Sequence, residues 1–305
     1  MNIARIKSDN YAAEVNLSRG GNCISLKNEK CSVNILREPD YSKELDSSFL
    51  YGMPILFPVN RISDGIFEFE GRKYTFPVNE PKTGCHLHGL LHKAEFELTD
   101  IGESFIKCKY KSDKLYEFFP HEFSVEITYS LSEMGLTQET RICNLSNANM
   151  PVLLGFHTTF NIAFVTGTFN KNVCVFAEVS DEIERNKNYL PTGRILPGDS
   201  ITQQFNNGEF RVFGNKISRH YKADKDGRIE LTDKENGLKI IYENDEKFGW
   251  RLFYNGDADE FICLEPQTCM INCQNSEFGS EYTGFDYIKP NAHKTYLSRI
   301  FVEEI

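Results

Sequence analysis

Alternation with a period of two constrains this chain more than any other pattern, because it fits half-buried β-strands and no regular helix. In the stretch from His121 to Leu131, residues Phe123, Val125, Ile127, Tyr129 and Leu131 face one way, with Glu122, Ser124, Glu126, Thr128 and Ser130 opposite. Ser132 to Gly135 then reads as a turn, and Leu136 to Leu145 as the returning strand. Phe67 to Glu70, a turn at Gly71 and Tyr74 to Phe76 make a second hairpin. A third joins Arg228–Thr232 to Leu238–Tyr242 through Asn236-Gly237, whose residues tolerate the positive φ of a type I′ turn. Phe248–Tyr254 and Glu260–Glu265 continue the series across an Asn-Gly-Asp-Ala-Asp turn, and Thr295 to Glu303 alternates as well.

Helical signals are scarce: only Tyr41 to Leu50 reads as one or two turns. No linker, charge block or short repeat divides the chain. The expected architecture is therefore all-β: one large antiparallel β-sandwich spanning residues 1–305 as a single domain, closed to limit exposed edges. Function is expected on the long loops across its mouth. The 24 Phe and 14 Tyr supply ample material for a core.

A net charge of −10 argues against a nucleic-acid surface, which needs clustered Lys and Arg. No stretch approaches the roughly 20 apolar residues of a membrane span, and the first ten residues contain no apolar run of the signal-peptide kind. The nine Cys are odd in number and form no C-x-x-C pair, as expected for buried, inert thiols in a reducing compartment. Cys263, Cys269 and Cys273 match no common zinc spacing. These observations predict a cytoplasmic protein, monomer or homodimer, whose partner is a small molecule.

Four segments place polar side chains inside apolar surroundings. In residues 52–62 the Asn60-Arg61 pair follows a proline-bounded apolar run. A guanidinium there either pairs with a buried carboxylate or turns its fork of donors to the hydroxyls of a ligand. In residues 85–92, His86, His88 and His92 share a face if the segment is a strand, which keeps a cupin-like metal site open. The Gly after His88 suggests a turn instead, with one His donating to a ligand hydroxyl and the others at the surface. His157 follows Gly155 and precedes two Thr, so the backbone can open and the imidazole can reach a cleft. Glu265 stands beside Pro266, expected to stop its strand, where partial desolvation raises a carboxyl toward useful base strength. An imidazole and a carboxylate on opposite sides of a small substrate suffice to shuttle two protons.

Together these segments resemble the aldose 1-epimerase (mutarotase) family over nearly the whole chain. The resemblance rests on Phe57-Pro-Val-Asn-Arg-Ile, Gly65 to Tyr74, Leu87-His-Gly, Phe119-Pro-His-Glu-Phe-Ser, Asn144 to Pro151, Gly155-Phe-His, Leu190-Pro-Thr-Gly-Arg-Ile and Cys263-Leu-Glu-Pro-Gln-Thr, in that order. It implies a β-sandwich of the galactose mutarotase type. It also implies His157 as general acid and Glu265 as general base, with Arg61 and His88 holding a monosaccharide and Asn60 beside Arg61. No metal or organic cofactor is implied, since only protons move. The alternatives are a non-catalytic carbohydrate-binding relative and the metal enzyme built on the three histidines. Two departures stand out. His157-Thr-Thr-Phe replaces the family's frequent His-Pro-Tyr-Phe, and Arg219 or His220 occupies the region where many members carry a sugar-binding Asp. A cation there would favour an acidic or phosphorylated sugar.

Overall fold

The computed structural model describes residues 2–40, 48–168, 172–224, 227–256 and 259–305. Two large antiparallel sheets dominate. The nine-stranded sheet runs Glu97–Ile101, Phe105–Lys111, Phe123–Ser132, Gly135–Asn144, His293–Glu304, Leu238–Asn244, Arg228–Asp233, Cys174–Ala177, Phe210–Arg211. The eight-stranded sheet runs Pro191–Leu196, Val179–Arg185, Ser218–Ala223, Trp250–Tyr254, Phe261–Gln267, Gly155–Phe156, Ile55–Leu56, with Thr158–Asn161 also paired to Phe261–Gln267. A four-stranded sheet of residues 3–34 adjoins them.

The alternation is realised as read. Phe123, Val125, Ile127, Tyr129 and Leu131 are all buried, and Phe123–Ser132 pairs with Gly135–Asn144 over ten consecutive positions. Removing each such side chain from water contributes about 1.5–3 kcal/mol. The returning strand holds a surprise: Gln138 and Thr140 are buried on the same face. Gln138 offsets part of the cost of burial by donating to the Tyr129 hydroxyl at 3.2 Å, which itself donates to the Gly21 carbonyl. Between the large sheets, Phe160 packs on Tyr242 at 5.5 Å and Thr158 shares a 3.0 Å hydrogen bond with the Tyr242 hydroxyl. Thr158 thus packs in the interior rather than opening the backbone.

The eight-stranded sheet is less regular. Phe261–Gln267 pairs with Trp250–Tyr254 on one side. On the other side Thr158 faces Leu264 and Gly155 faces Gln267, and His157 falls in the gap, its N–H donating to Pro54 at 3.0 Å. Gly155 is needed for proximity: a Cβ would lie 2.5 Å from Val59 Cγ2. Pro266 does not stop the strand, contrary to expectation. It sits within it, opposite Arg251, where the ladder to residues 155–158 is already interrupted, so a residue without an N–H is tolerated.

One eight-residue helix, Ser200–Asn207, was not legible as an amphipathic stretch. Asp199 caps it, accepting from the N–H groups of Ile201 and Thr202, and Gly208 ends it at φ +69°. Of the turns expected over Tyr41 to Leu50, residues 41–47 lie outside the described residues, and Ser48–Leu50 forms one 3₁₀ turn. Residues 257 and 258 of the expected Asn255–Asp259 turn also lie outside them. Among the described residues no helix is long and apolar enough to cross a membrane.

Candidate active site

The segment before the site is held by backbone that only certain residues adopt. Asn60 and His88 both have positive φ, +58° and +61°, and the His88 N–H donates to the Asn60 carbonyl at 2.9 Å. Left-handed backbone suits Asn but costs a histidine on the order of 1 kcal/mol or more, tolerated where surroundings over-determine it. Gly89 supplies that surrounding: a Cβ there would fall 1.8 Å from the Phe57 carbonyl oxygen. The strand pairing Arg61↔Leu87 completes the frame. The result is a cleft of about 330 Å³ whose walls include Asn60, Arg61, His88, His157 and Glu265. The five residues to which the family resemblance assigns catalytic or sugar-holding roles therefore line one cavity.

His157 and Glu265 touch. Nε2 and Oε1 are 3.2 Å apart, and Oε1 and His157 Nδ1 are buried without a hydrogen-bond partner. They stand side by side, not on opposite sides of a space for substrate as the sequence suggested. The reason is topological: strand Phe261–Gln267 runs directly beside the gap that holds His157. Burial pushes the Glu265 carboxyl up to about 8, against the lowering pull of the Gln267 hydrogen bond and of the Arg61 and Arg185 charges. Burial pushes the His157 imidazole down to about 4. Near neutral pH the pair therefore holds one proton, with the carboxyl the more stable seat.

A chain of amides positions the carboxyl. Gln267 Nε2 donates to Glu265 Oε2 at 3.3 Å, and Asn60 Nδ2 donates to Gln267 Oε1 at 3.4 Å. Gln267 lies two residues beyond Glu265, hence on the same strand face, a spacing that could have flagged it. Asn60 is 1% exposed and its Oδ1 accepts from the Arg61 N–H.

Of the two readings of Arg61, the structure shows the ion pair. Its Nε and Nη2 form a bidentate pair with Glu80 at 2.7 and 2.8 Å, while its guanidinium carbon sits 4.6 Å from the centre of the Tyr189 ring at the cleft wall. The three histidines do not converge. His86 bonds the Pro77 carbonyl through Nδ1, His88 faces the cleft, and His92 lies on a 3₁₀ turn against Phe49. Among the described residues no three His, Cys, Asp or Glu side chains are placed to hold a metal ion. The cysteines are free, and Cys263, Cys269 and Cys273 are all buried.

Neither Arg219 nor His220 belongs to the cleft walls. Arg219 is held by Glu182 at 2.9 Å and Asp199 at 2.7 Å. His220 is fully buried, stacks on Trp250 at 5.0 Å and accepts from the Ile271 N–H. Strand alternation turns His220 inward, and two carboxylates engage Arg219. The cation that lines the cleft beside Arg61 is Arg185, with Tyr189 and Ser218 near it. Nothing in its polar local sequence singled it out.

Comparison with known proteins agrees with this construction. Residues 3–283 match the family described as aldose 1-epimerase. A galactose mutarotase-like protein from Clostridium acetobutylicum superposes with a TM-score of 0.93 at 26% identity, covering 99% of this chain and 95% of its own. A putative aldose 1-epimerase from Escherichia coli K12 superposes with a TM-score of 0.83 at 17% identity over 100% of this chain and 99% of its own. The uncharacterised protein YihR of Escherichia coli (strain K12) is 21% identical over 263 residues, which are 84% of this chain and 81% of that protein. With the fold, the order of its motifs and these matches in agreement, the chain belongs to the aldose 1-epimerase family.

Proposed function

We propose that this protein is a cofactor-independent aldose 1-epimerase, with Glu265 as general base and His157 as general acid. The observation that carries the reading is their 3.2 Å contact at the wall of a sugar-sized cleft, with the carboxyl pushed up and the imidazole pushed down by burial. The two oxygens that exchange protons in anomerisation, O1 and the ring oxygen, are both bonded to C1. A base and an acid standing side by side suit such a pair.

The proton count closes without outside help. Moving the shared proton from Glu265 to His157 creates the carboxylate and the imidazolium together. Glu265 then takes the proton of the C1 hydroxyl while His157 gives its proton to the ring oxygen. The bond from C1 to that oxygen breaks and an aldehyde forms. Opening leaves a neutral carboxyl and a neutral imidazole, the arrangement that burial already favours. Rotation about C1–C2 presents the other carbonyl face. Closure runs the two transfers backward. In this reading Arg61, His88 and Asn60 orient the sugar; all three line the cleft, and the His88 ring is 5.5 Å from that of His157.

Anomer exchange of freshly dissolved aldoses, followed by polarimetry or NMR, tests this. Acceleration of at least one sugar is expected, lost in His157→Ala and in Glu265→Gln. Undiminished activity of Glu265→Gln would remove it from the base role. Binding without acceleration of any sugar would favour a carbohydrate-binding role instead.

A further inference from the structure

One cation of the cleft has no ion-pair partner among the described residues. Arg61 is pinned by Glu80, and Arg219, away from the cleft, by Glu182 and Asp199. Arg185 closes strand Val179–Arg185 immediately after a break in its register with Pro191–Leu196, which turns its side chain to the cleft wall. Its Nη2 donates to the carbonyl and hydroxyl of Ser218, and no carboxylate among the described residues forms an ion pair with it.

The surroundings sharpen the imbalance. Arg61 and Arg185 approach one Tyr189 ring, at 4.6 and 5.8 Å from its centre, so two guanidinium groups share one side of the cavity. Burial, and then the Arg61 charge, pull the Arg185 pKa down. The Glu182 carboxylate pulls the other way but is already held by Arg219, and within the cleft wall His88 and His157 are neutral and Glu265 is mostly protonated near pH 7. The chain as a whole carries a net charge of −10. A guanidinium without an ion pair in the cleft of an acidic protein is a local arrangement. A half-buried guanidinium that bonds only a backbone carbonyl and a hydroxyl gives up hydration it would recover on meeting an anion. Its planar fork matches the two oxygens of a carboxylate or phosphate, whereas a neutral hydroxyl needs no unbalanced charge.

We propose that Arg185, with Arg61 beside it, receives an anionic substituent of the sugar, so that the substrate is an acidic aldose and Arg185 sets its specificity. This deepens the epimerase reading and rests on it. The shared chemistry is a charged group away from C1: the C6 carboxylate of an aldohexuronic acid, or the C6 phosphate of an aldohexose phosphate.

The full chain is tested with D-glucuronate, D-glucose 6-phosphate and D-glucose, by NMR anomer exchange and by calorimetric binding at two salt concentrations. Wild-type kcat/KM at least about tenfold higher for one charged sugar than for glucose is expected, and which charged sugar wins identifies the anion. Arg185→Gln is expected to lower kcat/KM for that sugar about 10–100-fold, chiefly through KM, and to change glucose turnover less than about threefold. Arg185→Lys, which keeps the charge, restores part of the preference and controls for a folding defect. Equal wild-type turnover of charged and neutral sugars overturns the inference, as does an equal loss on both in Arg185→Gln. Failure of the epimerase reading looks different. In that case no sugar is accelerated, yet glucuronate or the phosphate still binds, weakens with salt and is lost in Arg185→Gln. Glucose turnover with no binding of either anion leaves the epimerase reading intact and removes the anion site.

Discussion

The two large sheets are built from the same material and put to different use. In the nine-stranded sheet, Phe123–Ser132 and Gly135–Asn144 run ten positions without a register shift, and Gly135–Asn144 pairs with His293–Glu304 over eight. Their inward side chains fill the core, and none of them lines the cleft that holds His157 and Glu265. The eight-stranded sheet breaks at several points: at Ile183/Arg185, between Val179 and Glu182, and at the gap between residues 156 and 158. His157 and Arg185 stand at two of those breaks. Regular ladders consume side chains in packing, whereas interruptions re-aim them into a cleft.

Four substitutions or titrations put this contrast to work. The largest expected effect is in Glu265→Gln, which costs about 10²–10⁴-fold in anomer-exchange rate while stabilising the fold at alkaline pH. The sign follows from the raised carboxyl. Glu265 stays protonated in the folded chain up to about 8 but ionises near 4.5 when unfolded, so the folded state loses stability as pH rises through that window. Thermal melts at pH 5 and pH 9 should show the variant gaining more at pH 9, and a variant that melts lower at both would contradict the buried, protonated carboxyl. In the nine-stranded sheet the reverse is expected. Ile127→Ala, at a side chain 1% exposed, should cost about 2–5 kcal/mol in denaturant unfolding and leave the rate per folded molecule unchanged.

The pH profile should be a bell. The one-proton form of the pair is lost below about 4, where His157 gains a second proton, and above about 8, where Glu265 gives up the only one. Rates should fall about tenfold per pH unit beyond each limb, and a profile flat to pH 10 would exclude Glu265 as the controlling group. The smallest effect belongs to Gln267→Leu. Losing its hydrogen bond should slow exchange about tenfold and move the alkaline limb upward, since that bond lowers the carboxyl pKa. An unmoved limb would mean that Gln267 only packs.

What the sequence made legible follows the same division. The hairpins at residues 123–144, 66–75 and 228–244 were readable because each is local and obeys alternation. The convergence of Asn60, Arg61, His88, His157 and Glu265 depends on contacts between distant segments, and only the resemblance to a family brought them together beforehand. Pro266 misled because the gap that tolerates it is made by residues 155–158, far away in sequence. Arg219 misled for a related reason: Glu182 and Asp199, which hold it, arrive from other elements. Arg185 was invisible because a polar hairpin looks solvated until its register break is seen.

Pro266 also bears on fidelity of assembly. Sliding strand Phe261–Gln267 by one position would turn Glu265 and Gln267 away from the cleft together and push the imino ring against a neighbour that requires a donor. The proline thus penalises misregistered assembly of the strand that carries the carboxyl and its partner, a proofreading mark written into the backbone between them.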